Sequence, residues 1–364
     1  MAPSDVVVLL GTPWPRLAAQ NTRWRSVLME WAQDARVGSL SVVDFPSMSL
    51  RNLTRPRAEP IATWDPRITA VAGRVPVYRR TTALDALAWR ATGAALDRAL
   101  PGAGRRRVAI AATPLWAPVL PYLRAERRGF DAVDDWRALP VAARVLGHIR
   151  RGYATAAGCD SVTAVSDALA QRLRADFGVV ARAVPNGVDV GLYSAPRPPR
   201  PAGLPEGPFA IYIGVVQERV DLALLAAASR VLPVVVAGHA DDAIAKELSD
   251  IGVSFVGPVA PADVPALLRA AAVGLLPHRV DQLTTSMSPM KVLEYLAAGL
   301  PVAATPVPLT VASDRVVVAS GDDAYASAVR DALALGCLDH PDPAVTGFSW
   351  KSVADELLTL HAGD

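Results

Sequence analysis

Thirteen residues near the middle of the chain, Pro196 to Pro208, include six prolines. Each proline fixes φ and removes a backbone donor, so neither a helix nor a central strand tolerates that density. The stretch reads as a stiff linker, and the same pattern repeats on both sides of it. Before it, short apolar runs stand at Val6 to Leu10, Leu40 to Val43, Val108 to Ala112 and Ser161 to Val165. Helical stretches such as Asn21 to Ala32 and Thr82 to Leu100 separate them. After it come Phe209 to Ile213, Pro233 to Ala237, Ser254 to Val256, Val273 to Leu276 and Pro301 to Ala304, with a helix near Leu222 to Arg230. Short runs alternating with helices specify parallel sheets covered on both faces. A chain of 364 residues also exceeds what one core organises.

The expected architecture is therefore α/β, with two Rossmann-like doubly wound domains facing a central cleft. The expected boundaries are 1–195 for the first domain, 196–208 for the linker and 209–345 for the second domain. A C-terminal helix within 346–364 is expected to pack back on the first domain. Ligands of such sheets bind outside the carboxyl ends of the strands.

Composition excludes several classes. No apolar run reaches the roughly 18 to 20 residues that span a bilayer, and Met1-Ala-Pro-Ser-Asp5 lacks the basic start of a signal peptide. A cytoplasmic location is the expectation. Cys159 and Cys337 form no CxxC pair and no Cys/His cluster, so two free thiols are expected, with no metal site and no cofactor. The formal charge of +2 conceals an asymmetry. Residues 1–190 carry 26 arginines against 16 acids, and the remainder carries 11 basic residues against 19 acids. Arg105-Arg106-Arg107, Arg124, Arg127-Arg128 and Arg150-Arg151 could hold the first half near an anionic membrane surface or an anionic acceptor, or could be plain solvated surface. Nucleic acid is not expected, because no aromatics interleave with the basic clusters and no reader motif is present.

The segment Ser288-Pro289-Met290-Lys291-Val292-Leu293-Glu294 carries the chemistry. Ser288 suits an N-cap and Pro289 the first helical position, and Gly299 suits the stop after Ala298. A helix N-terminus offers unpaired N–H groups and about half a positive charge, which suits a diphosphate. Lys291 in the first turn opposes the helix dipole unless an anion sits beside it. Lysine is also scarce, Lys246, Lys291 and Lys351 being the three among 37 basic residues. Glu294 projects from the same face three positions later, where it could accept from a ribose diol or simply pair with Lys291.

Pro289-Met-Lys-Val-Leu-Glu-Tyr-Leu-Ala-Ala-Gly-Leu-Pro-Val-Ala-Ala304 resembles the donor-site signature of retaining, family-four-like GT-B glycosyltransferases. Val162 to Asp167, Val184-Pro-Asn-Gly-Val-Asp189, Tyr212-Ile-Gly214 leading to Arg219 and Asp221, and Phe348-Ser-Trp350 extend the resemblance over about residues 160 to 364. Phe130-Asp-Ala-Val-Asp-Asp-Trp136 resembles a segment of the teichuronic-acid and xanthan-glucuronosyl type of transferase. The resemblance implies a GT-B fold and transfer from a UDP, GDP or dTDP sugar to a hydroxyl acceptor: an envelope polysaccharide, a lipid-linked glycan or a small molecule. It implies that Arg219 and Lys291 hold the phosphates and that Glu294 holds the ribose. Gly214, Met287, Ser288 and Met290 would line the donor pocket. Many members place a further glutamate eight residues before this one, and that position here is Ser286.

For the acceptor side, Gly11, Trp14, Asn21 and Arg23 lie in or after the first strand-end loop, where specificity is carried. Trp14 could stack on a sugar or pack in the core. Asp134, and after it Asp135, are candidates for the base that deprotonates the acceptor, or could cap a helix beginning at Trp136. His239 and His278 follow strands of the second domain, where a side chain could reach the base or the sugar or could be solvated or satisfied in the core, and His239 is placed with the donor residues. No metal motif is present, so activity without metal is expected, with attachment at the inner membrane face a further expectation. The alternatives are a nucleotide-sugar 2-epimerase and a non-catalytic nucleotide-sugar-binding partner of a transferase complex.

Overall fold

The computed structural model describes residues 3–19, 22–48, 57–75, 82–101, 106–141, 143–194 and 199–363. Two compact units divide the chain, one of residues 1–185 with 350–364 and the other of residues 186–349.

The first unit holds β1 (Ser4–Leu9), α1 (Trp14–Ala19), α2 (Arg23–Trp31), β2 (Val37–Val43), β3 (Ser47–Met48), β4 (Arg57–Ile61), β5 (Ile68–Val75), α3 (Thr82–Ala99), β6 (Arg107–Ala111), β7 (Arg127–Ala132), α4 (Ala143–Ala156), β8 (Ser161–Ala164), α5 (Asp167–Phe177) and β9 (Arg182–Ala183). Its strands pair in the order β3-β5-β2-β1-β6-β7-β8-β9, with β4 antiparallel on β5. β1 is fully buried along its length because helices cover both faces, which is why its sequence is an unbroken apolar run.

The second unit begins with α6 (Val190–Ser194) and continues through β10 (Ala210–Ile213), α7 (Leu222–Ser229), β11 (Val234–Ala237), α8 (Asp242–Asp250), β12 (Ser254–Gly257), α9 (Val264–Ala270), β13 (Val273–Leu276), α10 (Met290–Ala297), β14 (Val302–Ala304), β15 (Val316–Val318) and α11 (Asp322–Leu335). The six strands are all parallel, in the order β12-β11-β10-β13-β14-β15. This is the doubly wound order, which reverses direction between β10 and β13 and opens a crevice at their carboxyl ends. Successive residues of β10 feed opposite cores. Ile211 and Ile213 pack with α10, and Ala210 and Tyr212 pack with α7 and α11.

The last helix, α12 (Trp350–Ala362), belongs to the first unit. Trp31 Nε1 donates to the Ala354 carbonyl at 2.8 Å, and Arg36 pairs with Asp355. The crossing between units differs from the expected linker, because it lies at Pro185–Asn186, ahead of the proline-rich stretch. The cause is pairing with distant chain. Val188 N donates to the Phe348 carbonyl at 2.8 Å, and Tyr193 is buried in the same core as Phe209. Both bind residues 186–194 to the second unit.

Candidate active site

The site in the second unit is assembled at the β10/β13 reversal by the helix that follows β13. Tyr295 fixes that helix. Its buried phenol accepts from Ile213 N at 3.1 Å and donates to the Leu275 carbonyl at 3.2 Å, so one hydroxyl ties α10 to both strands. The ring occupies the space a side chain on Gly274 would fill. One turn earlier on the same face is Lys291, which is thereby laid over the carboxyl end of β10.

The start of α10 differs from the expectation. Pro289, not Ser288, stands at the N-cap, and no side chain caps the helix. Ser288 is buried and used elsewhere. Its hydroxyl accepts from Asn186 N at 3.2 Å and meets the Thr310 hydroxyl at 2.8 Å, while its carbonyl accepts from Asn186 Nδ2 at 2.8 Å. The first-turn N–H groups of α10 are thus left without a side-chain acceptor, which strengthens the anion-binding character of this end. At the other end Gly299, at φ 79°, provides the expected stop.

Lys291 is half-buried and crosses directly over Gly214. A Cβ on Gly214 would lie 2.7 Å from Lys291 Cε and 2.9 Å from Nζ, and the φ of 124° there also demands glycine. The ammonium sits 5.2 Å from the centroid of the Tyr212 ring and forms no hydrogen bond or ion pair among the described residues. Burial and then the Arg219 charge hold its pKa down to about 8, with Glu294 pulling the other way.

Arg219 is held on the loop after β10. Its carbonyl accepts from Arg279 N at 2.8 Å, and Asp221 N donates to the Pro277 carbonyl at 2.8 Å. The Tyr212 hydroxyl donates to the Val215 carbonyl at 3.1 Å, and the positive charge of Arg219 acts on it. Arg219 Nε is buried with no protein acceptor. Glu294, half-buried on α10, acts electrostatically on Lys291 and on the buried Tyr193 hydroxyl, whose pKa burial first and Glu294 second push well above the ordinary value.

The structure brings Gly214, Arg219, Lys291 and Glu294 together, with half-buried Met287 and Met290 flanking the helix start. His239 is exposed at the end of β11, and its carbonyl accepts from Val216 N at 2.8 Å. Ser286 is fully buried and its hydroxyl donates to the Gln282 and Leu283 carbonyls at 3.1 and 2.9 Å, so it faces into its own turn. His278, which the sequence set at a strand end but left out of the donor residues, belongs to the cluster. It is 2% exposed, and its ring lies edge-on to Tyr212 at 6.3 Å.

On the first unit the acceptor-side expectations divide. Gly11 sits at the β1/β6 reversal, 2.8 Å (as a virtual Cβ) from the Ala112 carbonyl and 3.5 Å from Trp136. Trp14 is buried, stacks on Trp64 at 4.9 Å and donates Nε1 to the Ala62 carbonyl, so it packs the core and presents no face to a sugar. Arg23 is likewise corrected. It is buried in an ion pair with Asp131 at 3.0 Å and donates to the Pro185 carbonyl at 2.8 Å. Asn21 lies outside the described residues. Asp135 is fully buried and bound at both oxygens by Arg137, at 2.8 and 2.9 Å, with Arg172 at 3.7 Å. Asp134 is half-buried, and its carbonyl accepts from the Tyr153 hydroxyl at 3.0 Å. No helix begins at Trp136. Much of the basic character is also internal. Arg106 pairs with Glu126, Arg107 with Asp97 and Arg151 with Asp85, while Arg127 and Arg128 donate to carbonyls.

Residues 208–335 match the sequence model of the family described as glycosyl transferases group 1. Over 98% of its length the chain superimposes on 95% of sucrose-phosphate synthase from Thermosynechococcus elongatus, with a TM-score of 0.60 at 16% identity. It superimposes to the same extent on Anabaena HepE, solved with UDP and glucose, with a TM-score of 0.61 at 13% identity. The chain has the GT-B fold, and residues 208–335 of its second unit carry the match to the glycosyl transferases group 1 model. A relative in sequence is TuaH of Bacillus subtilis (strain 168), which bears the name of a candidate teichuronic acid biosynthesis glycosyltransferase. The two are 28% identical over 203 residues, which is 50% of this chain and 51% of TuaH. The match therefore spans about half the length of that relative. The matched domain runs from just before β10 to the end of α11, and so contains every residue of the cluster around Lys291. Among the described residues no helix is long and apolar enough to cross a membrane.

Proposed function

We propose that this chain is a glycosyltransferase that moves a sugar from a nucleoside-diphosphate donor to a hydroxyl group of an acceptor. The observation that carries the reading is the placement of Lys291. A half-buried ammonium lies across the backbone of Gly214, beside Arg219 and at an uncapped helix start, where Glu294 offsets its desolvation only in part and an added anion would complete the compensation. The leaving diphosphate gains negative charge as the glycosidic bond breaks, so cations fixed there stabilise the transition state more than the bound donor.

In this reading Arg219, Lys291 and the first N–H groups of α10 hold the phosphates, and Glu294 accepts from the ribose diol. Met287, Ser288 and Met290 border the donor, and His239 borders its outer rim. Asp134, half-buried beside the fully buried Asp135, takes the acceptor proton. Two cations and a helix terminus supply the charge compensation that a metal provides in other transferases, which supports activity without metal. Retention of configuration rests on the family resemblance. The name borne by TuaH supports an envelope-polysaccharide or lipid-linked acceptor. Exposed arginines such as Arg124 and Arg150 support a cytoplasmic protein attached at the inner membrane face.

The test is thermal shift with UDP, GDP and dTDP, using Lys291→Ala and Glu294→Ala as controls. Stabilisation of the native chain by one of the three, lost in Lys291→Ala, is expected; no stabilisation by any refutes the reading. Incubating the preferred nucleotide sugar without acceptor and analysing the product separates transfer from 2-epimerisation.

A further inference from the structure

We propose that His278 is a positioning residue of the anion site, a neutral imidazole packed among Tyr212, Arg219 and Lys291 that leaves both cations free for phosphate. The proposal rests on the transferase reading only in naming the anion as the donor diphosphate.

The backbone places His278 by a short antiparallel contact. Val220 and His278 form a bridge, and the hydrogen bonds of Arg279 to Arg219 and of Asp221 to Pro277 flank it. The segment carrying His278 is thus zipped to the one carrying Arg219. All three polar side chains then meet at one ring. Lys291 lies over the face of Tyr212, His278 stands edge-on to it, and the charge of Arg219 acts on its hydroxyl. His278 is almost wholly buried and its Nε2 has no protein partner, an arrangement native interiors rarely leave without a ligand.

Charge explains the choice of residue. Burial, then Lys291, then Arg219 disfavour a proton on His278 and hold its pKa down to about 2, so the ring stays neutral throughout the working range. A carboxylate in its place would be bound by Arg219 and Lys291 and would compete with the incoming phosphates. The groups acting on Lys291 are Tyr212 from β10, Arg219 from the following loop, His278 from the segment after β13, and Glu294 from its own helix. Of these, Glu294 raises its pKa and Arg219 lowers it. A second carboxylate at position 278 would tip that balance.

Three lysines make the test direct, since protein labelled at lysine Cε gives resonances only from Lys246, Lys291 and Lys351. Lys291 is titrated by NMR in the ligand-free native chain, in His278→Asp and in His278→Asn, and UDP binding is measured by calorimetry on each. In His278→Asp the Lys291 midpoint is expected to rise by about one unit or more and UDP affinity to fall about tenfold or more. In His278→Asn the midpoint should stay and affinity should change less than about threefold, because a neutral polar group is retained. An unchanged midpoint and affinity in His278→Asp overturns the proposal. So does an equal loss of affinity in both variants with the midpoint unmoved, the signature of packing alone. If His278→Asp does not fold, histidine nitrogen spectra of the native chain decide. A ring neutral from about pH 5 to 8 and perturbed by UDP supports the proposal, and protonation in that range refutes it. A native chain that binds no nucleoside diphosphate refutes the transferase reading, while the Lys291 titration still tests what His278 does to the charge.

Discussion

Binding of a nucleoside diphosphate should take up a proton, and the amount is fixed by Lys291. Its pKa near 8 in the free protein means that about a tenth of the side chains are neutral at pH 7, about half at pH 8 and about nine tenths at pH 9. Restoring the ordinary value of 10.5 requires about 3 kcal/mol of favourable interaction with the charged form. One phosphate charge at about 4 Å supplies about 4 kcal/mol at an effective dielectric of about 20, so a diphosphate is more than sufficient. The sign follows from the depressed value. The bound state holds the extra proton, so affinity falls as pH rises through 8, with a slope of about −0.5 in log K per pH unit there. The phosphates themselves, with second ionisations near pH 6, contribute little above pH 8. Titrating UDP calorimetrically in buffers of low and high ionisation enthalpy reads the proton count. Equal enthalpies at pH 8 to 9, or an uptake that persists in Lys291→Ala, would refute the reasoning.

Further outcomes follow from other parts of the molecule. Tyr295→Phe leaves Ile213 N and the Leu275 carbonyl without their shared partner and should lower stability by about 1 to 3 kcal/mol, read as a drop in Tm. It should also weaken UDP binding, because Lys291 loses its support. Asp134→Asn should lower kcat by about 10² to 10⁴ with UDP affinity unchanged, measured in a transfer assay. Asp135→Asn should instead cost about 3 to 5 kcal/mol in urea unfolding, because it strips a buried partner from Arg137. His361, buried against Ser161 and Thr163, has its pKa lowered to about 4 by burial, with Asp131 opposing. Its contribution to stability is therefore complete above about pH 6.5 and is lost as pH falls toward 4, on the order of 3 kcal/mol. Urea unfolding across that range should show this slope, and His361→Gln should flatten it.

What the sequence made legible was local. The α10 segment announced itself because stop signal, first-turn cation and periodicity sit within eleven residues, and the apolar runs marked the parallel strands because each is buried on both faces. What it hid depended on distant partners. Ser288 looks like a cap until Asn186 and Thr310, 102 and 22 residues away, take its hydroxyl. Trp14 and Arg23 look available to an acceptor until Trp64 and Asp131 cover them. His278 carries no motif, and only the bridge to Val220 reveals that it stands beside Arg219. The prolines drew the expected boundary to 196–208, but the contact of Val188 with Phe348 and Ser349, made across 160 residues, decides where one unit ends.

That same contact has a topological consequence. Residues 186–349 are an insertion within the first unit, entered after Pro185 and left before Trp350, and Val188 pairs with Ser349 where the chain comes in and goes out. The ends of the insert are neighbours, so the whole segment can be lifted out or exchanged as a cassette without stretching the scaffold that receives it. A cut at 349 is a different operation. It removes α12, takes the Ala354 carbonyl from Trp31 and Asp355 from Arg36, and damages the first unit, although the deleted residues lie more than 300 positions along the chain from both.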